Sequence, residues 1–549
     1  MLWFYHLIPL VAMQLVLMVA NGYDVGCLIG DMPHNPLTTR DTLSIAGSKA
    51  MQESSFETPI VIYNAHRYAY CQSGCTAYHS SSAKMPTWED GEAPFRVPEM
   101  YHETWSRIVC LAQCWNDLFQ EVHAGGEMEN SIPAILDDWN FPRFKTLNEN
   151  LIACDGDSGC IEGVVIDNDW DPRLIGQVVF LEVQNSLEND GWNHDGKLTW
   201  DWESGKAVPC TANCAPFSDT TGYYVKNQPQ ITNSQYKFNW RPIQENDGNG
   251  YFSRQEHVTP HIGHTVKPVA IKEWKVAPAP EYDYAAEGKL LSERVRNMVS
   301  SQEQKDMIVV YDDKLTVREI IQHYMIKKYF GRDDFIFEDY IYFLQGIDLA
   351  EHDSLVQAWR EKVNHDLIRP TTYVQQNYAD KENLSYGGDP DATEPVLVKG
   401  RDFQTFIRVM PHSEYPSGSG CLCLAYQEYT EAYLKDNFGD DTIPDMSLGL
   451  EGVVNVDGIP SHILKLQEGS DSKFYIGDLK DLTYQCGQSR LWGGMHFTQS
   501  VDVTHDLCSG IGDAALEVLN DLKGTGEWGK AWKVGDPRPI CPSSTHGSK

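Results

Sequence analysis

The sequence predicts a mainly α protein in which a helical bundle follows a cysteine-rich N-terminal region of mixed structure. Two observations support this prediction. In the second half of the chain, apolar residues recur at helical spacing over several long segments. Before residue 216 the chain carries close cysteine pairs and turn dipeptides instead. We expect the boundary near residues 275–290, in a stretch rich in Pro, Ala and Tyr.

Composition divides the 549 residues into predicted segments. These are a signal peptide (1–22), a Cys-rich region with some helix (23–216), a lead-in of turns and short strands (217–285), a helical domain (286–525) and a C-terminal tail (526–549). The signal peptide is predicted because residues 7–20 form an apolar run, too short to span a bilayer, ahead of small residues. A buried apolar N-terminal segment is the alternative. We therefore expect a secreted, extracellular protein.

The chain is strongly acidic, with 78 acidic and 44 basic residues and a formal net charge of −34. This charge argues against nucleic acid or an anionic membrane as a partner, because both repel an acidic surface. We also expect no membrane insertion. An anion site in this chain must therefore collect its cations locally, where salt screens the remote carboxylates.

The chain has fourteen cysteines, of which nine lie between Cys27 and Cys214, mostly as close pairs. Together with an export signal they predict disulfides, whose connectivity the spacing leaves open. Zinc is the weaker alternative, because C-x3-C pairs lack the usual ligand spacing. Cys421 and Cys423 fall inside a predicted helix, where we expect them to be small core residues.

One segment, ENDGNGYFSRQE (245–256), matches the pattern of a calcium-binding loop. Pro242 and the extended residues beside it leave no entering helix. A turn between two strands explains Asp-Gly-Asn-Gly as well. We favour the β-hairpin.

Two segments carry groups suited to an oxygen-rich anion. In AWREKVNHDLIRP, Lys362 and Arg369 are expected to project from one face of a helix that Pro370 ends. The second segment is the turn PSGS (416–419), which leads into a helix. There Ser417 offers a hydroxyl and Gly418 a backbone N–H near the positive end of the helix dipole. Solvated helix charges and an ordinary N-cap are the structural alternatives.

A third segment, QSRLWGGMHFTQS, adds Arg490 as a further cation and His496 after a Gly-Gly pair. A lone histidine more often has a structural role than a catalytic one. The order of the three segments strengthens the interpretation, because all of them favour one negatively charged, oxygen-rich ligand.

The set K-x6-RP, PSG and SR-x5-H resembles the vanadium-dependent haloperoxidases, which share their core with the type 2 phosphatidic-acid phosphatase-like (PAP2-like) enzymes. The matching residues are Lys362, Arg369, Pro370, 416–418, Ser489, Arg490 and His496. The resemblance covers roughly residues 217–525, including the lead-in segment HVTPHIGHTVKPVAI. It does not extend to the Cys-rich region.

The resemblance implies a vanadate cofactor held in the helical bundle, with His496 supplying the nitrogen bonded to vanadium. The groups expected to neutralise the vanadate oxygens are Lys362, Arg369, Ser417, Gly418 and Arg490. It further implies that halide, iodide or bromide foremost, is oxidised by hydrogen peroxide, with Lys362 polarising the peroxide. Small organic acceptors would take up the product, and association into homo-oligomers is a feature of the family.

One departure from the family pattern is Ser419, which stands where these enzymes usually carry an acid–base histidine. Serine does not titrate near neutrality, and loss of a positioned acid–base group typically costs about 10²–10⁴ in rate. We expect His412 to substitute for it. His365 and Asp366 are weaker candidates.

A second departure follows His496. The family commonly has an acid four residues later, but this chain has Ser500 there, with Asp502 two residues further on. The sequence therefore leaves the partner that orients His496 open.

Two other functions stay open. A PAP2-type acid phosphatase would use the same site with His496 as nucleophile, although Ser419 would also impair protonation of its leaving group. A non-catalytic oxyanion-binding scaffold is the other alternative, and Ser419 is its main support.

Overall fold

The computed structural model describes residues 190–525, apart from a set of gaps, and a few isolated residues before them. The gaps are 213–214, 229–233, 247–251, 313–316, 319–320, 322–324, 326–336, 387–391, 440–445, 450–472 and 477, and the isolated residues are Cys71, Cys110, Cys114, Gly176, Val179 and Phe180. The predicted signal peptide, most of the Cys-rich region and the C-terminal tail lie outside the described residues.

Two compact units make up the chain. One comprises Met1–Leu187, Met325–Asp348 and Val518–Lys549, and the other comprises Glu188–Tyr324 and Leu349–Glu517. Every predicted site residue belongs to the second unit. The boundaries of the five predicted segments stay a prediction.

The described part of the chain is mainly helical, which confirms the predicted fold class. The helices are α1 (Ile262–Thr265), α2 (Tyr284–Val299), α3 (Gln302–Asp312), α4 (Phe337–His365), α5 (Pro370–Asn377), α6 (Gly418–Phe438), α7 (Leu479–Trp492), α8 (Thr498–Cys508) and α9 (Ile511–Thr525). None of them is long and apolar enough to cross a membrane.

The described strands form short antiparallel pairs. They are β1 (Leu198–Asp201) with β2 (Lys206–Pro209), β3 (Gln244–Asn246) with β4 (Phe252–Arg254), β5 (Glu382–Ser385) with β6 (Val396–Lys399), and β7 (Met446–Gly449) with β8 (Lys473–Ile476). The β3–β4 pair, in register from Gln244 opposite Arg254, confirms the hairpin predicted for the calcium-like segment.

A hydrophobic core lies around the ends of the site segments. Leu291, Val295 and Met298 of α2 pack there with Ile368 and Phe497, all nearly inaccessible to solvent. Ile368 precedes Arg369, and Phe497 follows His496. The site residues are therefore fixed in position by apolar neighbours in sequence that are buried in the core.

Two disulfides join the helix that follows the PSGS turn to its neighbours. Cys421 of α6 bonds to Cys508 of α8, and Cys423 of α6 bonds to Cys486 of α7. The expectation that Cys421 and Cys423 are merely small core residues is therefore wrong, because two helices bring cysteines within bonding distance of α6. Such cross-links typically stabilise a fold by about 2–4 kcal/mol.

Disulfides predicted for the Cys-rich region are present where the structure describes it. Cys71 bonds to Cys114 across 43 residues of sequence. Each of these two cysteines has a nearer cysteine in the sequence, Cys75 and Cys110. Proximity in sequence is therefore no guide to the partner, since a disulfide depends on the distance between the folded segments.

The expectation that Lys362 and Arg369 share one helix is wrong. Helix α4 ends at His365, and Asp366 takes a positive φ of 51°. Arg369 is extended, and Pro370 is the first residue of α5 instead of the end of α4. Proline favours the first helical position, where no N–H is needed, and restricts the residue before it to extended backbone.

The segment VRNMVSSQEQ (295–304), whose apolar residues recur at helical spacing, is divided between two helices. Helix α2 ends at Val299 and α3 begins at Gln302, so Ser300 and Ser301 form the break. Both serine side chains hydrogen-bond to nearby backbone groups: Ser300 Oγ donates to two α2 carbonyls and Ser301 Oγ accepts from the Gln304 N–H. Serine competes with helical hydrogen bonding in this way.

A row of polar side chains on α4 docks an extended stretch of chain. Asp353, Gln357, Glu361 and His365 recur every fourth residue and therefore share one helix face. They hydrogen-bond to backbone groups of residues 269–277, beginning with Asp353, which accepts three N–H groups at 2.7–2.9 Å. We call this row the docking stripe.

Candidate active site

Residues 412–417 form a tightly held segment that we call the anchored turn. It ends at Ser417, the N-cap of α6, whose hydroxyl accepts the Gly420 N–H at 3.3 Å. A Cβ at Gly420 would lie 2.8 Å from the side chain of Thr504, so α8 approaches the start of α6 too closely for any larger residue. The PSGS turn thus opens a helix, as predicted.

Lys362 is fully buried and holds the anchored turn. Its ammonium donates to the carbonyls of Ser413 (3.0 Å), Glu414 (3.1 Å) and Pro416. An ammonium has three N–H donors, so these contacts engage all of them. In this structure Lys362 therefore fixes the backbone that leads into α6.

Arg369 joins the anchored turn to the segment around His496. Its Nε donates to the His412 carbonyl and its Nη1 to the Met495 carbonyl, both at 2.9 Å. The same Nη1 lies 3.2 Å from His496 Nε2, and Nη2 lies 2.9 Å from His412 Nδ1. A guanidinium only donates, so both imidazole nitrogens present lone pairs to it.

His496 is buried between Arg369 and a carboxylate. Its Nδ1 lies 3.0 Å from Glu414 Oε1 and 3.0 Å from Ser500 Oγ. Because Nε2 accepts from Arg369, Nδ1 carries the proton and donates it to Glu414. The arrangement directs the Nε2 lone pair of His496 toward the cations.

Glu414 is completely buried and saturated with donors. Its Oε1 also accepts the Phe497 N–H at 2.9 Å, and its Oε2 accepts the Tyr282 hydroxyl at 2.8 Å. Burial raises the pKa of Glu414, although the Phe497 N–H and Arg369 act in the opposite direction. Tyr282 in turn lines an open groove of about 510 Å³ beside the site.

Arg490 is the third buried cation. Its Nη1 pairs with Asp312 Oδ1 at 3.0 Å, and its Nη2 contacts the sulfur of Met410 at 3.4 Å. Its Nε is buried without a hydrogen-bond partner among the described residues. A buried guanidinium N–H without an acceptor is costly, and an anion oxygen would satisfy it.

The electrostatics of the site favour an anion. Burial, then the positive charge of Arg369, lowers the pKa of Lys362 well below its usual value. Burial also lowers the pKa of Arg369, to about 9, with Arg490 acting in the same direction. Among the described residues, Glu414 is the completely buried carboxylate that acts on both Lys362 and Arg369, whereas Asp312, the partner of Arg490, keeps 25% of its side chain exposed. Such an excess of buried positive charge is relieved by a bound anion.

His412 belongs to the same cluster. Its ring lies 4.6 Å from that of Trp359 and 6.5 Å from that of His257. Burial, then Lys362 and Arg369, lowers the pKa of His412 well below its usual value, so this histidine is neutral at pH 7. With Nδ1 accepting from Arg369, the proton of His412 resides on Nε2.

The other histidine and acid candidates lie elsewhere. His365 donates to the Ala277 carbonyl as part of the docking stripe. Asp366 accepts from Tyr223 and Asn239. Asp502 is exposed, with Glu287 and Arg294 as its electrostatic neighbours. None of these contacts is with Lys362, Arg369 or His496.

Sequence reasoning missed Glu414 as the partner of His496. The available signal was an acid inside HSEYPSGS, two residues after His412 and directly before the Tyr-Pro of the turn. It also missed Asp312, which lies outside every motif, and His257, which opens the lead-in segment HVTPHIGHTVKPVAI but was given no role. His257 accepts the Ser413 N–H at 3.3 Å from behind the anchored turn.

The donor set fits the vanadate that the resemblance implies. Arg369, Arg490 and the start of α6 supply positive charge, and the unpartnered Nε of Arg490 awaits an acceptor. The Ser417 hydroxyl accepts from Gly420 and keeps its own hydrogen available to donate. His496 Nε2 supplies a nitrogen lone pair.

Comparison with known proteins identifies the fold that carries these residues. Residues 342–524 match the family model of the VCPO second helical-bundle domain. No curated protein matches the chain.

Several solved structures share the fold, among them three of bacterial vanadium-dependent peroxidases. The crystal structure of an apo-type bacterial vanadium-dependent chloroperoxidase has a TM-score of 0.64 and 21% sequence identity, and the match covers 85% of this chain and 94% of that chain. The structure of a holo-type bacterial vanadium-dependent chloroperoxidase has a TM-score of 0.64 and 20% identity, and the match covers 92% of this chain and 97% of that chain. A bacterial vanadium-dependent iodoperoxidase is more distant (0.51, 14%, 89% and 97%). The predicted resemblance is therefore confirmed: residues 342–524 match the VCPO second helical-bundle domain, and the chain has the fold of the vanadium-dependent haloperoxidases.

Proposed function

We propose that this chain is a secreted vanadate-dependent haloperoxidase that uses hydrogen peroxide to oxidise iodide or bromide to a hypohalous-acid equivalent. One observation carries the proposal. A buried cluster of three cations faces the Nε2 lone pair of a histidine whose tautomer is set by its neighbours, inside the fold of the vanadium-dependent chloroperoxidases. The disulfides and the acidic composition support the extracellular part of the proposal.

The residues that would hold vanadate are His496 through Nε2, Arg369 and Arg490 through their guanidinium groups, and Ser417 and Gly418 at the start of α6. When bound, vanadate supplies a Lewis acid that activates hydrogen peroxide without changing oxidation state. The buried guanidinium groups offset negative charge where little water competes with them. The fixed positions of these donors avoid reorganisation during the reaction.

Lys362 and His412 have separate roles in this proposal. The Lys362 ammonium holds the anchored turn and reaches the anion only when it releases one of its three carbonyls. His412 holds a proton on Nε2 beside Arg369 and takes the acid–base role in place of Ser419. Ser419 is partly exposed at the start of α6.

The proposal is tested by titrating metal-free protein with orthovanadate in the presence of hydrogen peroxide and iodide. We expect iodide oxidation to rise with vanadate and to saturate. The variant His496→Ala, which lacks the nitrogen lone pair, is expected to abolish oxidation and to weaken vanadate binding. A flat response of the wild type at every vanadate concentration would refute the proposal.

One observation favours a different outcome. Ser419 does not titrate near neutrality, which fits an oxyanion-binding scaffold without catalysis. Saturable vanadate binding without turnover of any halide would establish that function. Hydrolysis of p-nitrophenyl phosphate by the metal-free protein, inhibited by vanadate, would instead establish a phosphatase.

A further inference from the structure

We propose that Glu414 is the positioning residue of His496, and that the acid expected after the histidine has been replaced by one on the anchored turn. This inference rests on the function proposed above. It comes from one observation: the Nδ1 of His496 faces Glu414 Oε1 at 3.0 Å, although Glu414 precedes it by 82 residues.

Glu414 is suited to this role because every polar atom it has is held. Its N–H donates to the Leu367 carbonyl at 2.9 Å. Its own carbonyl accepts from Lys362 at 3.1 Å and from the Ser500 hydroxyl at 3.3 Å. Its carboxylate accepts from His496, from the Phe497 N–H and from Tyr282. A side chain fixed at so many points positions whatever it binds.

The contact decides which nitrogen of His496 carries the proton. A neutral imidazole has one N–H, and a carboxylate acceptor holds it on Nδ1. The lone pair is then on Nε2, where Arg369 Nη1 already donates at 3.2 Å. The opposite tautomer would place an N–H on Nε2 against the guanidinium donor and a lone pair on Nδ1 against the carboxylate. Glu414 therefore keeps the lone pair available on the side of the cations.

Ser500 does not fill the same role. Its hydroxyl lies 3.0 Å from His496 Nδ1 but is neutral, and it donates to the Glu414 carbonyl. A charged acceptor makes a hydrogen bond roughly twice as strong as a neutral one. The proton of Nδ1 is therefore governed by Glu414, while Ser500 contributes to the position of the turn.

Tyr282 supports Glu414 from the opposite side. Its hydroxyl donates to Glu414 Oε2 at 2.8 Å, and its ring packs 5.0 Å from that of Phe497. A continuous hydrogen-bonded chain thus runs from His496 through Glu414 to Tyr282. Tyr282→Phe removes its outermost donor and leaves the Glu414–His496 contact in place, so its effect is expected to be smaller than that of any change at Glu414.

The experiment compares Glu414→Ala and Glu414→Gln with the wild type by two measurements on full-length, metal-free protein. The first is the dissociation constant for orthovanadate, from equilibrium binding. The second is the ¹⁵N NMR signal of labelled His496, assigned by its loss in His496→Ala, which reports which ring nitrogen is protonated. A residue that only stabilises the fold would not move the tautomer.

We expect Glu414→Ala to weaken vanadate binding by about 10–100-fold, as for other groups that orient a metal-bound histidine. We also expect it to reduce the fraction of His496 protonated on Nδ1. Glu414→Gln keeps an acceptor without the charge, so its affinity for vanadate should lie between those of the wild type and Glu414→Ala. The matched control is Glu428→Gln. Glu428 accepts backbone N–H groups of residues 510 and 512 and has no contact with His496, so vanadate affinity should not change.

Rescue provides the second line of evidence. The double variant Glu414→Ala with Ser500→Asp moves the carboxylate to the position four residues after His496, and should recover affinity and the Nδ1 proton. If Glu414→Ala fails to fold, the decision rests on Glu414→Gln. Wild-type affinity and an unchanged tautomer in both single variants, or in Glu414→Gln alone when the alanine variant is unfolded, would overturn the inference.

The outcomes separate this inference from the proposed function. A wild type that binds vanadate without oxidising iodide refutes the haloperoxidase, yet the affinities and tautomers still decide the role of Glu414. If the wild type oxidises iodide and the Glu414 variants match it in vanadate affinity and in the His496 tautomer, the proposed function stands and the role of Glu414 is refuted. If the wild type does not bind vanadate, the tautomer in the Glu414 variants decides.

Discussion

Helix α4 contributes to two buried polar regions that have opposite chemistry. The docking stripe uses carboxylate, amide and imidazole groups to pair with backbone of residues 269–277. The anchored turn is held by the Lys362 ammonium, which pairs with backbone carbonyls. Glu361 and Lys362 are adjacent in sequence, yet each belongs to a different region, because successive residues of a helix point about 100° apart.

The two regions differ in how charge is balanced. In the docking stripe, burial alone would raise the pKa of Glu361, but hydrogen bonds from His365, the Ala277 N–H and Asn364 lower it overall. In the anchored turn, burial raises the pKa of Glu414 and lowers that of Lys362. In the docking stripe, hydrogen bonds from the protein stabilise the ionised form of Glu361. Around the anchored turn, burial destabilises the ionised forms of Glu414 and Lys362. This difference separates a structural polar region from one prepared for a ligand.

The largest predicted effect tests whether the anchored turn combines both roles. Lys362→Met removes the donors of three buried carbonyls, so the free energy of unfolding should fall by about 3 kcal/mol. Vanadate affinity should fall as well, because a positive charge is lost. Urea unfolding and equilibrium binding measure the two effects. Unchanged stability would show that the three carbonyls do not depend on Lys362.

The next prediction concerns the start of α6. Ser419→His restores an acid–base group beside the cluster and should raise the rate of halide oxidation by about 10²-fold, equivalent to about 2.7 kcal/mol of activation free energy. The effect should be greatest with bromide. Steady-state kinetics with both halides measure it. The control is Ser509→His, because Ser509 is a partly buried residue directly after α8 whose side chain contacts Lys275 and not the cluster. No gain would indicate that His412 already fills the role.

A third prediction sharpens the comparison through pH. Burial lowers the pKa of His257, behind the anchored turn, to about 3. Since the folded pKa lies below the ordinary value of 6.5, its stabilisation is complete above pH 6.5 and is lost as the pH falls toward 3. Each pH unit costs about 1.4 kcal/mol. When the pH falls from 6.5 to 5, the free energy of unfolding of His257→Gln should therefore fall by about 2 kcal/mol less than that of the wild type, as measured by urea unfolding. Parallel plots of unfolding free energy against pH for the two proteins would contradict this.

The smallest predicted effect lies in the docking stripe. Glu361→Gln should lower the free energy of unfolding at pH 7 by about 1 kcal/mol, because an amide has a single, uncharged acceptor oxygen for the N–H groups of Ala277 and Asn364 that the two carboxylate oxygens accept. The folded pKa is lowered, so this difference should shrink as the pH falls below 4.5. Vanadate affinity should be unchanged. A loss of affinity would show that the two regions of α4 are coupled.

Several features of the site could be predicted from local sequence. Ser417 caps α6, and His496 and Arg490 are buried where the motifs indicated a site. Other expectations were wrong because the local sequence was compatible with two structures, and tertiary packing selected the other one. Pro370 was compatible with either the end of one helix or the start of the next, and the chain uses it to start α5. Arg369 still reaches the cluster, but from an extended residue between two helices.

The sequence by itself determined the class of fold, the helix that begins at the PSGS turn and the set of cations and histidines available to an anion. These follow from periodicity, capping and residue type, which are local properties. Only the tertiary structure decided that Glu414 orients His496, that Asp312 pairs with Arg490, and that Cys421 and Cys423 bond to other helices. Each of these contacts joins residues more than 60 positions apart in the sequence. Hydrogen bonds and disulfides depend on the distance between atoms in space. At such separations the sequence spacing does not determine that distance.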